Sequence, residues 1–254
     1  FTINAIAFEV STQQIVDLYD GISHLKRKQL HLLHKNSIQD DPSRLIRCAK
    51  YASRFGFNIS NTSLQQSQEA VNKWPWKSFI KQEKTIFPPA ISIRIRMELS
   101  EIYKYDNLPR IVNILNQWKI ISILDKSMQV NKKFLRGLNW VKKLKGNYIL
   151  FLVKGTEDLE NTCQRFFINN KDKKIIEDFF QIKKILEANK EKYLYLSPSS
   201  WTEFIEKRNL NEETVKLLIC DGVTFWRPLF KWLFIYRFVK SKKDGEILKK
   251  EGWK

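Results

Sequence analysis

The chain has 254 residues, with 45 Lys and Arg against 27 Asp and Glu, a formal net charge of +18. That length supports one large or two modest domains with a real core, and that charge makes a polyanion the expected partner. Cys48, Cys163 and Cys220 are far apart and form no Cys-x-x-Cys, which argues against a disulfide framework or a zinc knuckle and fits a reducing, cytoplasmic setting. The most apolar run, Leu229 to Val239, is broken by Lys231 and Arg237, so no membrane span is expected.

Phe1 to Glu9 mixes β-branched and apolar residues and reads partly as a strand. Ser11-Thr12-Gln13 is a polar turn, and Gln14 to Asp17 returns as a second strand. Asp17 and Asp20 flank a turn before Gly21 and read as local turn chemistry, because a two-metal site needs carboxylates converging from rigid strands. His31 and His34 have a ligand-like spacing but no Cys or Glu nearby. No metal ligand and no catalytic residue is assigned.

The most informative stretch is Asp40 to Phe57. Asp41 followed by Pro42 is a helix start, with a carboxylate to cap free N–H groups and a proline where none is needed. Gly56 is a matching stop. At about 100° per residue, Leu45, Ile46, Cys48, Ala49, Ala52 and Phe55 fall on one side. Arg44, Arg47, Lys50, Tyr51 and Arg54 fall on the other, with Asp41 one turn below Arg44. One reading is an ordinary amphipathic helix with a solvated basic face. The sharper one is a base-reading edge. Cytosine and adenine present a ring-nitrogen acceptor beside an amino donor, which suits an Arg donor beside an Asp acceptor. Uracil and guanine invert that order. Such a bidentate contact discriminates by about 1–3 kcal/mol, and Arg47 and Lys50 suit a triphosphate.

Asn61 to Lys73 is helical and stops at Trp74-Pro75-Trp76. Ile91 to Tyr103 is a stronger helix, with Ile91, Ile95, Leu99 and Ile102 on one side and an i,i+4 spacing of Arg94 and Glu98 that suits a surface ion pair. Leu108 to Leu124 reads as two short helices. Lys132, Lys133, Arg136, Lys142, Lys143 and Lys145 then surround Phe134, Leu138 and Trp140, an apolar stripe with basic flanks that is either solvated or laid on an RNA backbone. Gly146 to Glu160 is the expected boundary between body and tail. Beyond it Asn170 to Lys190 is a long amphipathic segment, and Ser197-Pro198 opens another. Trp226 to Phe238 interleaves aromatic and basic residues, Arg237 among them, which suits either core packing or stacking with phosphate contact.

Asp41-Pro42-Ser43-Arg44-Leu45-Ile46-Arg47, continued by Lys50-Tyr51-Ala52-Ser53-Arg54-Phe55-Gly56-Phe57, resembles the nucleotide-selecting motif of class II tRNA nucleotidyltransferases, the CCA-adding enzymes and their bacterial poly(A) polymerase relatives. That family reads Glu-Asp-Pro-x-Arg-x-x-Arg-x-x-Arg-Phe, so Asp40 replaces a Glu and Lys50 an Arg. Phe1-Thr2-Ile3-Asn4-Ala5 resembles the end of a motif beginning Arg-Arg-Asp. Arg94-Ile95-Arg96-Met97-Glu98-Leu99 resembles Glu-Arg-Ile-x-x-Glu-Leu with Ile93 in place of its first Glu, and Asp244 to Gly252 resembles a tail segment. The resemblance implies a mainly α fold. A short β-hairpin remnant of a nucleotidyltransferase head (1–35) would precede an all-helical neck (36–105), body (106–155) and tRNA-binding tail (156–254). It implies nucleotide contacts by Asp41, Arg44, Arg47 and Lys50, supported by Asn4, Asp40 and Arg94. RNA contacts fall to Lys132, Lys133, Arg136, Lys142, Lys143 and Arg237. It also implies addition of CMP and AMP from CTP and ATP to tRNA 3′ ends. The family's catalytic carboxylates and Mg2+ lie before its Arg-Arg-Asp motif and find no counterpart here, so this chain by itself is expected to lack catalysis. The alternatives are a poly(A) polymerase and a non-catalytic RNA-binding helical protein.

Overall fold

The computed structural model describes residues 1–75, 80–81, 84–85 and 88–239. The first two strands lie within the segments read as strands, and Thr2–Asn4 before them forms a 3-10 turn. β1 (Ala7–Glu9) and β2 (Gln14–Val16) form an antiparallel hairpin with Phe8 opposite Ile15, and both of those side chains are exposed. α1 (Gly21–Lys26) follows, its first amides held by Asp17, whose two carboxylate oxygens accept from Gly21 N and Ile22 N. Both oxygens of Asp17 therefore serve the turn. The chain crosses so closely at Gly21 that a β-carbon there would stand 2.5 Å from the Thr2 carbonyl oxygen. β3 (Gln29–Leu30) pairs in parallel with β4 (Asn58–Ile59), and between them lie α2 (Ser37–Asp40) and α3 (Ser43–Phe55).

α4 (Asn61–Asn72) starts at Ser60, whose hydroxyl accepts from Ser63 N. Trp74 beyond it is buried, while Trp76 lies outside the described residues. The antiparallel pair β5 (Ile80–Lys81) and β6 (Lys84–Thr85) leads to α5 (Pro89–Tyr105) and α6 (Leu108–Gln117). α3 packs against both α5 and α6. Leu45, Ile46 and Ala49 meet a core that includes Ile95, Leu99 and Ile102 of α5 and Ile111, Val112 and Leu115 of α6, all buried. α7 (Lys132–Lys143), α8 (Tyr148–Val153) and α9 (Leu159–Arg165) extend this helical layer, each begun by an Asn or Asp side chain that accepts from a first-turn amide.

The chain divides into two compact units between Lys173 and Lys174, inside α10 (Asn170–Ala188). The 146–160 stretch contains α8, which is buried from Ile149 to Val153. A polar composition around it reads as a linker, but its apolar centre is core. The second unit continues with α11 (Lys190–Leu194), α12 (Pro198–Glu206), α13 (Glu212–Asp221) and α14 (Trp226–Phe234). Its core includes Tyr193, Trp201, Phe204 and Phe225, whose rings meet edge-on or tilted. The segment Asp244 to Gly252 lies outside the described residues. No described helix is long and apolar enough to cross a membrane.

Candidate functional site

α3 begins as its sequence dictates. Asp41 is extended, and its Oδ1 accepts from Ser43 N at 3.1 Å and Ser43 Oγ at 2.6 Å, so the carboxylate caps the helix. Gly56, left-handed at φ 68°, ends it. Asp41 is buried, and its second oxygen, Oδ2, accepts from Arg94 NH1 at 3.2 Å. Arg94 thus reaches across from α5 to the capping carboxylate, and does not form the i,i+4 pair with Glu98 that its spacing suggests.

Arg44, one turn above Asp41, donates from NH1 to the carbonyl of Ser37 at 2.9 Å. That bond ties α3 to the start of α2 without neutralising the guanidinium. Arg47 donates through Nε at 2.7 Å and NH2 at 2.5 Å to one oxygen of Glu98. Lys50 bridges Glu98 at 3.0 Å and Glu101 at 2.9 Å. Arg54 forms a two-pronged contact with Asp106 at 3.0 and 2.9 Å. Among the described residues, Arg44 is the α3 cation with no carboxylate at ion-pair distance.

The basic side of α3 is therefore not an exposed ladder. Glu98, Glu101 and Asp106 meet Arg47, Lys50 and Arg54 in the same order along both helices, and α5 covers Lys50 so fully that it counts as buried. Phe55, expected on the apolar side, is instead half exposed at the end of the helix. Burial by itself lowers the Lys50 amine, but the hydrogen bonds and charges of Glu101 and Glu98 outweigh it and hold the pKa above the ordinary lysine value. Burial opposes Arg47 in the same way, and Glu98 overcomes it. Glu101 is held below the usual carboxylate range by its bond from Lys50. Sequence reasoning missed Glu101, Asp106 and Ser37. The available hint was that positions 98 and 101 repeat the three-residue spacing of Arg47 and Lys50.

The supporting residues fall at the edge of this arrangement. Asn4 is exposed at the end of a short 3-10 turn, Thr2–Asn4, and among the described residues no hydrogen bond joins its side chain to Asp41 or Arg44. The turn itself lies against the site, since Phe1 meets the Tyr51 ring and Thr2 N donates to His31 O. Asp40 is exposed and faces His34 at 3.5 Å. His31 turns the other way to stack on His24, with ring centroids 3.7 Å apart, so the His31 and His34 spacing does not converge on a common point.

The basic residues expected to meet RNA separate into two groups. Lys132, Lys133, Arg136 and Lys143 are exposed on α7, opposite its buried Gly137, Leu138 and Val141, and Lys143 lies 5.0 Å from the Trp140 ring centre. Lys142 leans away and donates to the Asp106 carbonyl at 2.9 Å. Arg237 is paired with Glu212 and packed on the Phe238 and Trp232 rings. Glu212 thus partners its charge in this structure.

The fold has known counterparts. A CCA-adding enzyme in complex with CTP aligns over 99% of this chain and 62% of its own, with a TM-score of 0.73 at 19% identity. A Thermotoga maritima CCA-adding enzyme complexed with tRNA aligns over 98% and 62%, with a TM-score of 0.72 at 19% identity. The architecture is that of the helical part of such enzymes. No family model matches the chain. By sequence, the A-adding tRNA nucleotidyltransferase of Aquifex aeolicus is 26% identical over 147 residues, 57% of this chain and 16% of the relative. The CCA-adding enzyme of Streptococcus uberis is 27% identical over 119 residues, 44% of this chain and 29% of the relative. The matches thus span under a third of these relatives. In fold, and in sequence over part of its length, the chain is thus similar to CCA-adding and A-adding tRNA nucleotidyltransferases.

Proposed function

We propose that this chain is the helical portion of a tRNA nucleotidyltransferase that transfers CMP or AMP from CTP or ATP to the 3′ end of tRNA, with Asp41 and Arg44 as its base-selecting pair. The observation that carries the reading is the state of Arg44. It is oriented by Ser37, it stands one turn from a fixed carboxylate, and no carboxylate among the described residues neutralises it. A guanidinium held this way can donate to N3 of cytosine or N1 of adenine, while Oδ2 of Asp41 accepts from the exocyclic amine. A carboxylate oxygen has capacity for both Arg94 and that amine. Uracil or guanine would set donor against donor and acceptor against acceptor, leaving buried polar groups unpaired.

Arg47 carries both its bonds to Glu98 through Nε and NH2, which leaves NH1 for a phosphate oxygen. In this reading Lys50 acts through Glu98, holding the carboxylate that aims Arg47, and does not itself meet the triphosphate. The exposed α7 residues Lys132, Lys133, Arg136 and Lys143 contact the tRNA backbone by charge and shape. The Mg2+ ions used in such chemistry do not fit residues described here. Both oxygens of Asp17 are engaged by backbone amides, and among the described residues no group of His, Cys, Asp or Glu is placed to hold a metal. The curated relatives are CCA-adding, CC-adding and A-adding enzymes, which favours nucleotide addition to tRNA over a poly(A) polymerase or a purely RNA-binding role. The test is incubation of the full-length protein with tRNA lacking its 3′ terminal nucleotides and labelled CTP or ATP. Label at the tRNA 3′ end is expected, and tRNA binding without any transfer would overturn the enzymatic reading.

A further inference from the structure

The second unit holds a cleft of about 280 Å3, lined by Leu194, Leu196, Pro198, Trp201, Pro228 and Tyr236, with Arg227 and Lys231 also at its wall. Its floor is firm. Trp201 is buried and wedged against Tyr193, Phe204 and Phe225. Pro198 and Pro228 sit in the first turns of α12 and α14, where the ring restricts the backbone. Arg227 and Lys231 are one turn apart on α14 and therefore share a face, and both are exposed.

Elsewhere in this unit Lys183 meets Asp221, Lys207 meets Glu203, Lys216 meets Glu212 and Glu213, and Arg237 meets Glu212. Arg227 and Lys231 have no carboxylate at ion-pair distance among the described residues, and no carboxylate lines the cleft. Arg227 is steadied by the Trp226 ring, 5.5 Å away. An apolar, aromatic-floored hollow with two uncompensated cations on one wall suits a flat ring carrying an anionic group. Small-ligand pockets run from about 300 to 1,000 Å3, so this one has room for a single ring and its phosphate and none for a duplex.

We propose that this cleft binds one nucleoside 5′-phosphate unit, its base against Trp201, Pro198 and Pro228 and its phosphate on Arg227 and Lys231. The unit is either a free nucleotide or an unpaired nucleotide of an RNA strand. The site is separate in sequence from Asp41 and Arg44, and the inference stands whether or not those residues select a base. Ring stacking tolerates any base, so little discrimination among AMP, CMP and UMP is expected here.

The experiment titrates AMP, and separately a short single-stranded RNA, into the full chain carrying Arg44→Ala to silence the first site, with two-dimensional amide and indole NMR as readout. Shifts at Tyr236 and the Trp201 and Trp226 indoles are expected. The double variant Arg227→Glu/Lys231→Glu should weaken binding about ten- to hundredfold, the loss of charge-assisted hydrogen bonds, and Lys231→Gln gives a milder check should charge reversal disturb folding. Shifts with AMP identify a free-nucleotide site, and shifts with the RNA alone identify a strand site. Either supports the proposal. No shifts in the cleft with either ligand, or binding unchanged by both variants, would overturn it. CTP selectivity at Arg44 would be unaffected by that failure.

Discussion

Lys50 Nζ stands 3.0 Å from Glu98 Oε2, and both side chains are only 9% exposed. This contact joins α3 to α5 and sets the carboxylate to which Arg47 is bound. The two partners are not equivalent. Removing the Glu98 charge strands a covered ammonium with only the solvent-facing Glu101, whereas removing the Lys50 charge leaves Glu98 with two bonds from Arg47.

Glu98→Gln should therefore destabilise the protein by about 2–4 kcal/mol, somewhat under the roughly 3–5 kcal/mol of a fully buried pair broken on one side. Lys50→Met should cost less. Denaturant midpoints measure both, and the reverse order would contradict the role given to Glu98.

The neighbouring Lys50–Glu101 contact sets a pH dependence. Glu101 has a lowered folded pKa, so its contribution is present above the ordinary glutamate value of about 4.3 and is lost as pH falls through the depressed folded value. Lys50 has a raised folded pKa, so its contribution is complete below the ordinary lysine value of about 10.4 and is lost as pH rises through the folded one. Wild type should exceed Glu101→Gln in stability at pH 7, and the gap should close in acid below about pH 4. Denaturation midpoints across that range would show it. A gap that persists unchanged at pH 2 contradicts the assignment.

Gly21 is needed for a close approach. A methyl group there would press on the Thr2 carbonyl at 2.5 Å and Ile6 Cγ1 at 2.8 Å. Because the nearer neighbour is backbone, Gly21→Ala should cost about 1–3 kcal/mol, the range for overpacking. Thermal unfolding of the two proteins decides it, and an unchanged midpoint would mean that the turn and α1 move apart freely.

On α7, Lys132→Glu or Arg136→Glu should weaken tRNA binding and reduce its logarithmic salt slope by about one for each phosphate no longer neutralised. Arg237→Gln should do neither to the same extent, since Glu212 already pairs that cation. Filter binding over a salt series measures this, and equal losses from all three would contradict the division.

What the sequence disclosed follows from the range of the interactions. The Asp41 cap and the Gly56 stop are contacts within a turn, so their residue types alone foretold α3. The hairpin at Ala7–Glu9 and Gln14–Val16 was equally local. The partners of Arg47, Lys50 and Arg54 lie about fifty residues away on a helix of its own, and only the packing of α3 on α5 brings them together. Arg94 illustrates the same limit. Its i,i+4 neighbour Glu98 was the evident partner by spacing, but the rotation of α5 gives each of them a different partner, Asp41 to Arg94 and the Arg47 and Lys50 pair to Glu98. Composition did not disclose that 146–160 contains a buried six-residue helix, Tyr148–Val153, among its polar residues.

The central claim is that Asp41 and Arg44 read the pairing edge of a base, and calorimetric binding of CTP and UTP to the wild-type chain and to Arg44→Ala tests it most directly. Wild type should favour CTP by about 1–3 kcal/mol, and Arg44→Ala should erase most of that preference while keeping its fold. Equal binding of CTP and UTP by the wild-type chain, or a preference that survives the loss of Arg44, would contradict it.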